Sequence, residues 1–383
     1  MPNIRQMQNK LRLQLLQSRL KYPLLIKKKE NLYYLTGRLF MNGCLLVKKN
    51  DTVFFGDGLE KAEGIKKVDR LKNIGRYLRR GSMLEVEDAL TFAEAAYLRI
   101  KNKEFGIKIK AVKSPVDFLR IIKEPAETKN IAQAMQIVRR VFGQVKKVMR
   151  QRTWTEIALA NFIKSTGLKL GAEDVSFPPI VASGANAAIP HHVPSNKKLK
   201  AGESIIIDFG FKFRGYCSDF TRTIFLKRVP ERLAKAYNQV EKAYNEAIAF
   251  LSSSGKRSET RGSKSRSRVI KMDSRFRGND KKIIAGHVYQ KSLEVLAEKN
   301  LDKYFIHNLG HGTGLEIHEL PNLSPDSKDI LREGMVFSIE PGVYIPKVGG
   351  IRIEDLIYLE GNQAKKFVFV PTSLADNIIT IPN

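Results

Sequence analysis

The chain has 383 residues, 43% of them hydrophobic and 28% charged, which excludes a peptide hormone or a mini-protein dependent on cross-links and reads as two or three globular domains with ample core. Two cysteines far apart in sequence, Cys44 and Cys217, exclude a disulfide framework and fit a reducing cytoplasm. No apolar run reaches 18 residues, Arg5, Lys10, Arg12 and Arg19 interrupt any signal-peptide core, and the net charge of +28 lacks an aromatic-interleaved basic stripe, so neither membrane nor nucleic acid is expected as partner.

Residues 1–118 read as a small α/β domain. Ile4, Met7, Leu11, Leu15 and Leu20 recur at helical spacing and predict an amphipathic helix packed on its own domain. Leu45–Val47 and Val53–Phe55, separated by a Lys-Lys-Asn-Asp stretch, predict a hairpin; Leu84–Val86 predicts a strand and Thr91–Lys101 a helix. Nothing here clusters catalytic residue types, so its expected job is shaping a cleft or mediating oligomerisation. Pro115 and Pro125 bracket the break at which a second domain, 119–383, is expected to begin. A long helix is predicted from Thr128 to Met149, and Thr153-Trp154-Thr155-Glu156 carries the capping-box pattern that opens another.

From Ser176 the text becomes strand-like, with one exception. Ser252–Lys282 is Ser-rich, holds eleven Lys or Arg against three acids, and has few apolar residues. It cannot bury enough surface to offset ordering entropy and predicts a disordered insertion splitting two helices, Leu233–Leu251 and Gly286–Lys299. A tolerated surface insertion is favoured over a nucleic-acid-binding arm.

The chemistry concentrates in acids and histidines within the strand-like text. In Ile205-Ile206-Ile207-Asp208 and the following Asp219-Phe220-Thr221, a hairpin centred between Phe213 and Arg214 would set Asp208 opposite Asp219, with Cβ atoms about 5 Å apart. Two carboxylates so placed repel unless a cation lies between them. The pattern repeats downstream, where Glu340 and Glu354 are symmetric about Lys347. His307, His311 and His318 fall in one twelve-residue window whose Gly310, Gly312 and Gly314 argue against a helix and for a strand or loop that lets backbone approach a ligand closely. One histidine with four carboxylates matches a pair of divalent ions and is too oxygen-rich for a thiolate zinc site. Such a pair lowers the pKa of water and polarises a carbonyl, which is machinery for hydrolysis.

The order Asp208, Asp219, His311, Glu340, Glu354 resembles the five-ligand signature of the pita-bread metallopeptidases of family M24, and within them the Xaa-Pro branch of prolidase and aminopeptidase P. Leu32-Tyr33-Tyr34-Leu35-Thr36-Gly37 resembles a stretch of that branch's creatinase-type N-terminal domain, and Leu119-Arg120-Ile121-Ile122-Lys123-Glu124 its entry into the catalytic domain. The resemblance implies an α+β fold, a curved antiparallel sheet backed by helices after a smaller α/β domain. It implies that Asp208 binds one ion, that Asp219 and Glu354 bridge both, and that His311 and Glu340 complete the second site, with Glu340 also the general base. His191, rather than its neighbour His192, stands where the family has a substrate-pocket histidine; His307 resembles the histidine of the proline pocket, His318 the one that meets the scissile carbonyl, and Arg352 fits substrate orientation. Further implications are two Mn²⁺ ions, with Co²⁺ or Zn²⁺ as alternatives, proline-containing dipeptides or short peptides as substrates, and a cytoplasmic homodimer. The alternatives are a methionine aminopeptidase, disfavoured by the extra domain, and a non-catalytic scaffold, disfavoured by the intact ligand set.

Overall fold

The computed structural model describes residues 4–40, 42–56, 65, 67–253, 282–361 and 363–380. The expected basic insertion lies outside the described residues apart from Ser252, Ser253 and Lys282. Two compact units are present, Met1–Arg120 and Ile121–Asn383. Among the described residues, no helix is long and apolar enough to cross a membrane.

The first unit is built on a six-stranded mixed sheet, in spatial order Lys67–Asp69, Asp51–Phe55, Cys44–Lys48, Leu24–Ile26, Met83–Glu87, Lys108–Val112. The expected hairpin is its centre, with Lys48 paired to Asp51 across Lys49-Asn50. Thr91 caps the helix Phe92–Asn102 in a capping box with Glu94, which satisfies two otherwise orphaned N–H groups. The first helix, Ile4–Arg19, forms as expected, but its inward face is not the predicted one. Leu16 is fully buried and the Arg12 guanidinium lies 4.0 Å from the Tyr34 ring centroid, whereas Met7, Leu11 and Leu15 are 55%, 63% and 44% exposed. Residues 12 and 16 sit about 100° round the helix from 11 and 15, so the stripe that spacing alone picks out faces away from the domain.

The second unit carries a sheet whose main path, every pairing antiparallel, runs Glu319–Leu323, Gly310–Gly312, Val336–Ile339, Glu354–Glu360, Phe220–Leu226, Ser204–Asp208, Ile180–Ser183. Helices Glu231–Ser253 and Ala285–Ala297 pack against each other and against the strands. The former buries Leu233, Ala236, Tyr237, Val240, Ala243, Tyr244, Ala247 and Leu251, a three-four spacing that turns one continuous face onto Phe337, Ile339, Ile351 and Ile357. Full burial of each large side chain there contributes about 1.5–3 kcal/mol. On another side, helix Pro125–Val148 presses Phe142 edge-on against Phe220, ring centroids 5.1 Å apart.

The next helix, Glu156–Lys169, departs from its predicted cap. Thr155, not Thr153, accepts from the Ala158 N–H, so Glu156 is the first helical residue and its carboxylate is free for another partner.

Candidate metal centre

Five adjacent strands of the sheet each bring one acid or histidine to the same end. Ser204–Asp208 ends on Asp208, Phe220–Leu226 begins just after Asp219, Glu354–Glu360 begins on Glu354, Val336–Ile339 ends just before Glu340, and His311 lies within Gly310–Gly312. All five line one cavity of about 610 Å³, together with His191, His307, His318 and Arg352. Asp219, His311 and Glu354 each offer a ligand atom within 4.8 Å of the other two.

The second carboxylate pair has the register expected of it. Gly342 pairs with Arg352, and on the other flank Ile339 pairs with Asp355, which leaves Glu340 across from Glu354. The first pair is shifted. Asp208 pairs with Thr221, not Asp219, because the intervening turn is Arg214-Gly215, both at positive φ (49° and 80°), and Phe213 pairs with Tyr216. That two-residue turn, whose twist suits a hairpin, moves the centre one residue along and makes Asp208 and Asp219 diagonal neighbours on one face. Two of the glycines also shape the sheet itself. A Cβ on Gly310 would lie 2.0 Å from the Ser338 carbonyl oxygen, and one on Gly312 would lie 2.1 Å from that of Leu320. The close approach at both is to neighbouring backbone, and Gly310 also lines the cavity.

The donor set fits divalent cations on its own chemistry. Burial, then the neighbouring Glu354, Asp208 and Glu340 carboxylates, push Asp219 well above the usual carboxylate range, and burial with Glu340 and Asp208 does the same to Glu354. Burial pushes Glu340 up to about 8 despite Arg352, and raises Asp208 as well. Asp208 Oδ1 is buried without a hydrogen-bond partner, although its other oxygen receives Arg352 Nη2 at 2.5 Å. Burial, with His318 beside it, holds His311 down to about 4, so the ring is neutral. Its Nδ1 lies 3.1 Å from the Gly312 carbonyl oxygen, and its Nε2 lies 3.5 Å from Asp219 Oδ2 and 3.4 Å from Glu340 Oε1. A divalent cation between this nitrogen and the clustered carboxylates would relieve their repulsion, and oxygen donors with one imidazole suit a divalent metal ion.

Three residues that the spacing arguments passed over hold this arrangement together. Thr221 donates to Glu354 Oε2 at 2.6 Å and accepts from Arg352 Nε at 3.2 Å. Ser338 donates to Glu340 Oε1 at 3.1 Å and accepts from the His311 N–H. Tyr344 accepts from Arg352 Nη1 at 2.6 Å and meets His307 Nε2 at 2.9 Å. Thr221 and Ser338 each stand two residues from a predicted ligand, the same-face spacing of a strand, and that signal was available. Tyr344 had none, since its contacts depend on strand register. His307 is held down to about 4 by burial and by Arg352. His191 and His318 are exposed on the open side, with the His318 ring edge-on to His311 at 4.3 Å.

A curved antiparallel sheet that converges four carboxylates and a neutral imidazole defines a metal-dependent hydrolase. The chain belongs to metallopeptidase family M24. The sequence family described as "Metallopeptidase family M24" matches residues 129–360, and the "Creatinase/Prolidase N-terminal domain" matches residues 9–141, so the architecture is a creatinase-like domain followed by a pita-bread domain. The chain is 31% identical to the Xaa-Pro dipeptidase of Pyrococcus horikoshii, over 89% of this chain and 91% of that one. Among solved structures it resembles a prolidase from Pyrococcus furiosus (28% identity, 94% of this chain and 99% of that one, TM-score 0.78) and an Xaa-Pro dipeptidase from Bacillus anthracis (26% identity, 98% and 99%, TM-score 0.81).

Proposed function

We propose that this metallopeptidase hydrolyses the bond between an N-terminal residue and proline, and that Asp208, Asp219, His311, Glu340 and Glu354 would hold the two divalent ions it uses. The observation that carries the reading is the convergence of His311 Nε2 on Asp219 Oδ2 and Glu340 Oε1 (3.5 and 3.4 Å) beside the partnerless Asp208 Oδ1; the names of the similar proteins support the Xaa-Pro preference. When bound, the ions supply an activated water and polarise the scissile carbonyl.

The chain's own residues do the rest. Glu340, braced by Ser338, accepts a proton from the attacking water and passes it toward the prolyl nitrogen. His318 donates to the developing oxyanion. His307, edge-on to Phe305 and Tyr344, walls the ring pocket. Arg352, buried and tied to Asp208, Thr221 and Tyr344, is a cation of fixed orientation for the substrate's charged end. His191 contacts the substrate from the outer wall. The chemistry explains the preference: an Xaa-Pro amide has no N–H and restricts the residue before it, so a pocket shaped for the ring replaces strand-like recognition.

Mn²⁺ is the favoured metal, with Co²⁺ or Zn²⁺ as alternatives, and the enzyme is proposed as a cytoplasmic homodimer. Two buried free cysteines support a reducing compartment, and the exposed Met7, Leu11, Leu15 stripe supports an interface. Purified, metal-loaded protein incubated with Ala-Pro, Ala-Pro-Ala and Met-Ala-Ser, with and without chelator, tests the activity. Chelator-sensitive release of the residue before proline is expected; methionine release alone, or no turnover, overturns the reading. Elemental analysis identifies the metal, and light scattering the assembly.

A further inference from the structure

His191 and His192 are adjacent and both line the cavity, but they make different contacts. His191 reaches the site: it lies on the wall of the cavity that Asp208, His307 and His318 also line. His192 turns back, its Nε2 2.9 Å from Glu156 Oε2. Glu156 is fully buried at the start of its helix and gathers the whole segment around it. Its Oε1 accepts from the Ser183 N–H (2.8 Å), the Ser183 hydroxyl (2.8 Å) and Asn186 Nδ2 (3.0 Å). Its Oε2 accepts from the Ser195 N–H (3.1 Å) and the Ser195 hydroxyl (2.6 Å). Both ends of residues 183–195 are therefore tied to a single carboxylate. Between them the backbone has one short 3-10 turn, Gly184–Ala188, and no strand pairing.

The same segment touches the catalytic strands. The Pro190 carbonyl receives Arg352 Nη1 at 3.5 Å, and a Cβ on Gly350 would sit 2.0 Å from the Ala187 carbonyl oxygen. Loosening at Glu156 would therefore displace the wall formed by Pro190, His191 and Val193 relative to Arg352. We propose that Glu156 is a positioning residue for substrate binding: its carboxylate clamps residues 183–195 so that His191 is presented to the peptide while His192 serves as part of the clamp. A carboxylate is required because all the partners are donors. An amide would set its own N–H₂ against donors on one side. The proposal rests on the Xaa-Pro reading for its substrate, but not for the clamp itself.

The experiment compares wild type, Glu156→Gln, His191→Ala and the double variant on Ala-Pro, and follows backbone hydrogen exchange of residues 184–195 in the metal-loaded proteins. Expected for Glu156→Gln are a KM raised about tenfold with kcat changed less than about threefold, faster exchange in 184–195, and unchanged metal content; misplacements of about 1 Å cost up to about a hundredfold. The double variant is expected to match His191→Ala within about twofold in kcat/KM, because both act through one side chain. Independent effects, a His191→Ala variant with full activity, or unchanged exchange in folded Glu156→Gln overturns the proposal. If wild type cleaves no Xaa-Pro bond, the substrate reading fails and exchange alone decides the clamp. Should Glu156→Gln not fold, Ser195→Ala and His192→Asn each remove one arm. Both are then expected to raise KM and local exchange, and no change in either overturns the clamp.

Discussion

Glu156 and Glu354 are buried glutamates of the same unit, 0% and 2% exposed, and their surroundings treat them in opposite ways. Around Glu156, burial by itself would raise the carboxyl, but hydrogen bonds from Ser195, His192, Ser183 and Asn186 outweigh it and hold the group at about 2. Around Glu354, burial is reinforced by Glu340 and Asp208, the Thr221 hydroxyl only partly opposes them, and the carboxyl is driven far upward. Glu87 in the first unit is likewise ringed by donors, receiving Lys27 and Lys28 N–H groups, Asn31 and Ser114 at 2.6–2.7 Å. A carboxylate surrounded by donors is a structural anchor, complete without help. A cluster of carboxylates facing one another is incomplete, and that incompleteness is what selects a cation.

The contrast breaks most visibly if a proposed bridging acid is neutralised. Asp219→Asn or Glu354→Gln is expected to lower metal affinity beyond the roughly tenfold to hundredfold cost of losing a supporting neighbour, and with it nearly all hydrolysis. Stripped of metal, the same variants should melt at a higher temperature than stripped wild type, because one of several repelling buried charges has gone. Thermal unfolding with and without chelator, beside elemental analysis, reads both; a lower melting temperature for both stripped variants contradicts the repulsion.

Between the two extremes stands Asp355, the residue after Glu354, facing the other side of the strand. It receives Arg222 Nη2 at 2.9 and 3.1 Å and the Tyr244 hydroxyl at 2.6 Å, while Arg222 also donates to the Glu354 carbonyl oxygen at 2.7 Å. Breaking a buried, hydrogen-bonded pair from one side removes the other charge's main partner, which here leaves Asp355 with Tyr244 and with Lys366 Nζ at 3.3 Å. Arg222→Leu should cost about 3–5 kcal/mol in chemical denaturation. A loss below about 1 kcal/mol would mean that the pair contributes little to the strand carrying Glu354.

Glu156 sharpens the contrast through pH. Its folded carboxyl titrates at about 2, below the ordinary 4.5, so its stabilisation is fully present above about pH 4.5 and is lost as pH falls from there through about 2. Glu156→Gln should cost about 2–3 kcal/mol at neutral pH, the scale of leaving buried donors unpaired, and should flatten that acid limb. Melting temperature against pH from 2 to 6 for both proteins measures it; parallel curves would show that Glu156 is not the titrating anchor.

These cases mark where sequence legibility stopped. Hairpin symmetry paired the acids, and symmetry about Lys347 carried the second register correctly, because Gly342–Ile345 and Gly349–Arg352 pair without a bulge. The first register slipped because a two-residue Arg-Gly turn is not visible in the symmetry of the acids it separates. Glu156 was legible only as a cap-box glutamate: its actual partners lie 27–39 residues downstream, and no local pattern encodes a contact of that range. The Met7, Leu11, Leu15 stripe failed for a different reason, since helical period identifies a face but not the side on which the domain lies.

The smallest effect is expected where charge is densest. Residues 254–281 fall between Ser253, the last residue of one packed helix, and Ile283, which pairs with Leu331 beside the next. The proposed ligands are at positions 208, 219, 311, 340 and 354, and their supports, Thr221, Ser338 and Tyr344, come from the same sheet and its adjoining hairpin. None of these contacts involves the helix ends that flank the segment. Replacing 254–281 by a short Gly/Ser linker should leave kcat/KM on Ala-Pro within about twofold and melting within a few degrees, since changing the length of a connection costs only about 0.6 kcal/mol per doubling. A folded deletion variant that binds metal yet has lost hydrolysis would give that basic stretch a part in catalysis, and the division between satisfied anchors and an unsatisfied centre would no longer account for the activity by itself.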